Sequence, residues 1–172
     1  FCEKLLNHYE NDLRIGMITG FNPFNKYNFG NQSFGFSRIG GIWGWASWRD
    51  RWEVHNKKME DLNNPYVRKQ LLNISKSKSI SKKKISNWDS YLSKIEKNQV
   101  DSWDFQWGFT RQIQSFLTIV PSVNLISNIG TDISSTHNFY SEKDRYDRMY
   151  KLFHSKTYNL NSNFQIPSYV IQ

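Results

Sequence analysis

The sequence predicts an α/β fold, with α+β left open by the pattern alone, and three observations predict it. Helix-like and strand-like segments alternate along the chain, no internal repeat is present, and 172 residues are enough for one domain with a real hydrophobic core. Hydrophobic residues make up 38% of the chain and aromatic residues 16%, so rings carry much of the apolar mass. Most of the chain is therefore expected to be ordered, despite a mean hydropathy of −0.70.

The elements follow in order. Phe1, Leu5, Leu6 and Tyr9 have helical spacing, so a helix is expected from Phe1 to about Glu10, closed by Asn11-Asp12. The chain therefore reads as beginning inside a longer protein. Arg14 to Thr19 is a short apolar run suited to a buried strand that ends at Gly20. Residues 21–33 are rich in asparagine and hold Pro23, which is loop chemistry. Phe34, Phe36 and Arg38 alternate as a brief strand before Gly40-Gly41. Ala46 to Val54 is expected to be a helix with Trp45, Trp48 and Trp52 on one face.

Asn64-Pro65 has the form of a helix start, an asparagine cap followed by proline at the first helical position, with the helix running to about Asn73. Ser75 to Lys84 holds five lysines and no ring, and reads as a basic, flexible insertion. Ile85, Trp88, Leu92 and Ile95 resume helical spacing. Asp101 is placed to cap a helix carrying Trp103, Trp107 and Phe109. Leu117–Val120 and Val123–Ile126, parted by Pro121-Ser122, read as two buried strands or one bent strand. A polar loop then reaches His137, and residues 141–172 read as a tail, charged and tyrosine-rich at 140–153 and with little regular pattern after that.

The formal net charge of +8 at pH 7 favours anionic partners without choosing among phosphates, nucleic acid and lipid. Nucleic acid is disfavoured because the lysines concentrate at 76–84 while the tryptophans lie elsewhere, so cationic and stacking groups are not interleaved. Cys2 is the one cysteine, which rules out an intrachain disulfide. No apolar run approaches the roughly 20 residues that span a bilayer.

The most conspicuous chemistry is aromatic. Trp43, Trp45, Trp48 and Trp52 fall within ten residues around Gly44, and Ser102-Trp103-Asp104-Phe105-Gln106-Trp107 forms a second tryptophan motif. Indole faces pack against the apolar C–H faces of sugars, and a glycine lets a backbone or ligand approach closely. Trp43, Gly44 and Trp45 are therefore candidate ligand contacts in a turn, while the spacing of Trp48 and Trp52 favours core. Asn22, just past a strand end where α/β folds tend to place ligands, is a candidate for a sugar hydroxyl. Arg49 and Arg51 are read as solvated or paired with Asp50 and Glu53, and Glu60-Asp61 as a surface pair.

These motifs occur in an order that resembles a known family. Phe1 to Leu6, Ile15 to Asn22, the IWGWASWRDRW run at 42–52, SWDFQW at 102–107 and VNLISNIG at 123–130 with Thr136-His137 look like the C-terminal part of bacterial nucleotide-sugar glycosyltransferases of the GT-A superfamily. Some members carry a "hemolytic protein" label, and there is a distant similarity to the N-acetylglucosaminyltransferase I type. The resemblance covers residues 1 to about 137, leaving 141–172 as a tail. It implies a mixed sheet with flanking helices, with the nucleotide-binding half and its acidic metal motif lying before Phe1.

The resemblance further implies an inverting transfer from a nucleotide sugar to a glycan or lipid-linked acceptor, in the cytoplasm or at the inner face of the membrane. Asp104, the only carboxylate of SWDFQW, becomes the candidate base that takes the acceptor's proton. A carboxylate near a helix start is also favoured by the helix dipole, and that reading competes. Trp103 joins the candidate substrate contacts. His137 is a candidate ligand for a divalent metal, Mn or Mg, held mainly by the missing half, with Asp132 near it as a second oxygen donor. The alternative, from another class, is a non-catalytic glycan- or nucleic-acid-binding module.

Overall fold

The structure, a computed structural model, describes residues 1–75, 77–100 and 103–127. The elements run α1 (Cys2–His8), β1 (Ile15–Thr19), β2 (Phe34–Ser37), β3 (Trp45–Ala46), α2 (Arg49–Glu53), a 3-10 turn (Glu60–Asn63), α3 (Pro65–Leu72), α4 (Lys78–Glu96), α5 (Asp104–Ile113) and β4 (Leu117–Pro121). The four strands form one mixed sheet in the order β2-β4-β1-β3, and with its helices this is an α/β fold. β2 and β4 are antiparallel with Phe34 opposite Pro121 and Phe36 opposite Ile119. β3 pairs antiparallel with the end of β1, Trp45 opposite Thr19.

The chain divides into two compact units. The first comprises Phe1–Tyr9, Met17–Ala46 and the described residues from Thr118 on. β1 is buried at every position, as expected of a continuous apolar run in a central strand. Phe34 and Phe36, two residues apart, share one face of β2 and meet Tyr9 of the turn after α1 edge-on at 6.2 and 5.8 Å between ring centres. Leu5, Met17, Ile18, Phe34 and Ile119 are fully buried. Gly35 faces the other way, where the Phe29 ring occupies the place a side chain would take.

The second unit comprises Glu10–Gly16 and Ser47–Leu117. Its core joins Met59, Leu62, Leu71, Ile85, Trp88, Leu92 and Phe109, with Trp88 meeting Phe109 edge-on at 5.6 Å. The Asn64 side chain accepts from the Tyr66 N–H at 2.9 Å, the cap expected before Pro65. α4 and α5 each end on a residue in the left-handed region, Asn98 (φ 51°) and Ser115 (φ 57°), whose turns return Gln99 N–H to Lys94 O and Phe116 N–H to Arg111 O.

Three expectations are corrected. The basic stretch 75–84 is not a flexible insertion: from Lys78 it forms the first turns of α4, capped by the Ser77 side chain. Its inner face begins at Ser81, which is buried and accepts from the Ser75 N–H, and continues through Ile85, Trp88 and Leu92. A serine stands where an apolar residue would have announced the stripe, and lysine is a good helix former. Next, Trp45 is in strand β3 and Trp48 is extended (φ −100°, ψ 156°), so no helix carries Trp45, Trp48 and Trp52 on one face. Finally, Val123–Ile126 is no strand; Val123 makes one isolated bridge to Lys26.

Arg68 of α3 donates to both carboxylate oxygens of Asp89 of α4 at 2.7 and 2.8 Å. That guanidinium holds the Asp89 carboxyl below its usual range. A lowered carboxylate contributes stability above its unfolded pKa, and the contribution is lost as pH falls through the folded value. Both side chains are about two-fifths exposed (38% and 43%), so water screens the pair. Asp89→Asn is expected to cost about 0.5 kcal/mol at neutral pH and to cost nothing in strong acid. Urea unfolding of both proteins at the two pH values checks this.

Candidate functional site

Two places gather the residues singled out above. In the first unit, the chain leaving β1 turns at Gly20-Phe21-Asn22, and the Trp43-Gly44-Trp45 turn is tied to it. Gly20 N–H donates to Gly44 O at 2.8 Å, and the Thr19 hydroxyl donates to Trp43 O at 3.3 Å. Phe21 packs edge-on to Trp43 at 4.7 Å. The sequence-distant GFN and WGW segments are thus brought together at the carboxyl end of β1.

Gly44 is needed there because its φ is +55°, and a methyl on it would lie 2.7 Å from Ile126 Cδ1. Gly44→Ala is expected to lower stability by about 1–3 kcal/mol through backbone strain. Thermal unfolding checks this, and an unchanged midpoint would show that the turn relaxes freely.

Beside this turn lies a cleft of about 670 Å³, lined in part by Phe21, Phe29, Phe36 and Ile39. Asn22 also lines it, but its side chain is committed elsewhere. The Asn22 amide donates to Pro121 O at 2.8 Å, its oxygen accepts from the Phe24 N–H at 2.9 Å, and the residue is 1% exposed. The expected sugar-hydroxyl contact is therefore corrected: both ends of this amide serve as a loop bracket. Asn124, fully buried, completes the bracket by accepting from the Asn22 N–H and donating to Ile126 O. Sequence reading missed Asn124 because it lay in a run taken for a strand. Trp43 and Trp45 are half-buried and stand outside the cleft lining, Trp43 in contact with Phe21.

In the second unit, Trp52 of α2 meets Trp103 at 5.7 Å, Trp107 at 5.1 Å and His55 at 4.4 Å. Trp103 precedes α5 and is 38% exposed, whereas Trp107 is fully buried. Asp104 is the first residue of α5 and half-buried, on the same helix face as Trp107 three residues later. Arg51 is buried rather than solvated: it lies 4.5 Å over the Trp48 ring, pairs with Asp50 and donates to Glu10 O. Burial lowers the Arg111 guanidinium to about 10, which leaves it charged at neutral pH. Glu60 and Asp61 are exposed, Asp61 accepting from the Asn56 amide.

His55 is the residue missed in this cluster. Its two ring nitrogens are enclosed without a hydrogen-bond partner, and burial, with a smaller contribution from Lys57, lowers its pKa from 6.5. The imidazole is neutral at pH 7. The local sequence shows only half of the enclosure: Trp52 is three positions away, but the ring of Trp107 lies 52 positions away. Below 6.5 the unfolded chain takes up this proton before the folded one does, so stability falls as pH drops below that value. His55→Phe is expected to remove that part of the acid sensitivity, measured as the difference in unfolding midpoint between neutral and mildly acidic buffer.

Asp101, Asp132, His137 and the 141–172 tail lie outside the described residues. Among the described residues, no group of three or more His, Cys, Asp or Glu is placed to hold a metal ion, and no helix is long and apolar enough to cross a membrane. Compared with protein-family models, curated proteins and solved structures, the chain matches none.

Proposed function

We propose that this chain is the acceptor-side portion of a GT-A-type glycosyltransferase that moves a sugar from a nucleotide donor to a glycan or lipid-linked acceptor. The observation that carries the reading is the joining of the GFN strand end and the WGW turn at the carboxyl end of β1, through Gly20–Gly44 and Thr19–Trp43 hydrogen bonds. Two motifs singled out by the resemblance, 24 positions apart at Thr19 and Trp43, support one wall where α/β folds present ligands. Trp103 is a partly exposed indole suited to a sugar face, and Asp104 beside it is the base in this reading.

Asp104 would accept the proton of the acceptor hydroxyl as that oxygen attacks the anomeric carbon and the nucleoside diphosphate leaves. The donor and its divalent metal, Mn or Mg, are assigned to residues outside the described ones. No donor set among the described side chains fits a metal, and no step is drawn through it. The same reading puts the protein in the cytoplasm or at the inner face of the membrane.

The test is a sugar-binding titration of this chain followed by tryptophan fluorescence, with oligosaccharides of varied composition. Saturable quenching that is lost in Trp103→Ala, while the unfolding midpoint stays within a few degrees, supports the reading. Unaltered quenching in that variant removes Trp103 from the site. No quenching by any glycan overturns the acceptor-side assignment.

A further inference from the structure

The first unit displays a set of apolar side chains that its own core does not use. Phe24 is 71% exposed, Ile39 68% and Tyr27 51%, and all three stand among the lining residues of the 670 Å³ cleft. Apolar groups clustered in this way are costly in water and mark contact surfaces. The exposure is imposed by the fold. The loop that bears Phe24 and Tyr27 is held from beneath by the Asn22–Asn124 bracket, and by Tyr27 N–H donating to Ser122 O at 2.8 Å and Asn124 N–H donating to Asn25 O at 2.7 Å. Its backbone is tied inward while its rings point out.

Charge narrows the ligand. From Leu13 through Arg49 the chain contains no carboxylate. Among the described residues, the charged groups set among these exposed apolar residues are Lys26, between Phe24 and Tyr27, and Arg38, next to Ile39; both are exposed. The rings do not form one flat platform: Phe24 and Tyr27 are tilted by 43°, Tyr27 and Phe29 by 48°. Rings tilted in this way give no continuous platform for a run of stacked bases, whereas the boundary between headgroups and acyl chains takes them readily. Aromatic residues with lysine and arginine beside them are the side chains that settle at that boundary, the cations reaching lipid phosphate.

We propose that the Phe24–Tyr27–Ile39 rim, with Lys26 and Arg38, docks this chain on an anionic phospholipid bilayer surface. The proposal rests on the geometry of the first unit and stands whether or not the chain transfers sugar. The net charge of +8 draws the protein to any anionic surface, so the deciding arm is the apolar one.

The experiment is co-sedimentation of the full chain with phosphatidylcholine vesicles, with and without phosphatidylglycerol. Wild type is expected to bind the vesicles containing phosphatidylglycerol, less so at high salt. Phe24→Ser/Ile39→Ser and Lys26→Glu/Arg38→Glu are each expected to weaken binding by about tenfold or more, with thermal unfolding run on each variant so that loss of binding is separated from loss of fold. A Lys82→Glu/Lys83→Glu control on exposed positions of α4 is expected to change binding little. Wild-type binding by the Phe24/Ile39 variant overturns the proposal, leaving diffuse charge attraction. So does failure of wild type to bind, or saturation of the cleft by a soluble nucleotide at lower concentration than lipid.

Discussion

Within the proposed transferase, Asp104→Asn is expected to lower the transfer rate by about 10²- to 10⁴-fold while leaving donor binding unchanged. The amide keeps the shape of the carboxylate and loses only its capacity to take a proton. Asp104 begins α5, half-buried and directly after the partly exposed Trp103. That position also suits a carboxylate facing the positive end of the helix dipole, a purely structural role worth about 0.3–1 kcal/mol. The two roles separate cleanly. A base shows as a lost rate with an unchanged unfolding midpoint; a dipole partner shows as a lowered midpoint with the rate kept. Wild-type transfer by Asp104→Asn would remove Asp104 from the chemistry. Measuring KM and kcat apart is part of the test, because a base acts on kcat alone.

The elements read correctly from the sequence are those whose signal is local. Asn64-Pro65 starts α3 because a cap and a proline act on their own backbone, and β1, β2 and β4 stand within a residue or two of their expected bounds. What failed depended on partners far along the chain. β3 exists because Gly44 reverses the backbone and lays Trp45 against Thr19, so tertiary pairing overrides the helical spacing of the tryptophans. The start of α4 was hidden because its first inward residue is Ser81, whose small side chain packs without appearing in a hydropathy pattern.

Of the candidate site, the sequence marked motifs but not their facing side chains. Motif identity singled out GFN, WGW and SWDFQW, and the structure joins the first two at one strand end. Which side chains face a ligand was not legible. Asn22 carries the right chemistry for a sugar hydroxyl, yet Pro121 O and the Phe24 N–H occupy its amide. Arg51 pairs with Asp50, one of the two readings its sequence allows, yet Trp48 and Glu10 O also bury it. His55 gains its altered proton affinity only from rings that folding brings around it.

Trp107→Ala is expected to cost about 3–5 kcal/mol, enough to lower the unfolding midpoint by roughly 10 °C. Trp107 is fully buried on α5, packed on Trp52 at 5.1 Å and edge-on to His55 at 5.8 Å, so its removal leaves a cavity that α2 and α5 cannot close without moving. The same substitution at Trp103, four residues earlier in the same motif and 38% exposed, is expected to cost about 1 kcal/mol or less. The pair thus splits one motif into a packing residue and a partly exposed one, the sugar contact in the proposed reading. Chemical denaturation measures the first difference and glycan titration the second. Because Trp107 also encloses His55, Trp107→Ala admits water to the imidazole and should return its pKa toward 6.5. Proton titration of His55 by NMR in the two variants then reads the cluster directly: an upward shift in Trp107→Ala and none in Trp103→Ala. A shift of equal size in both would mean that Trp103 shields His55 from water as much as Trp107 does.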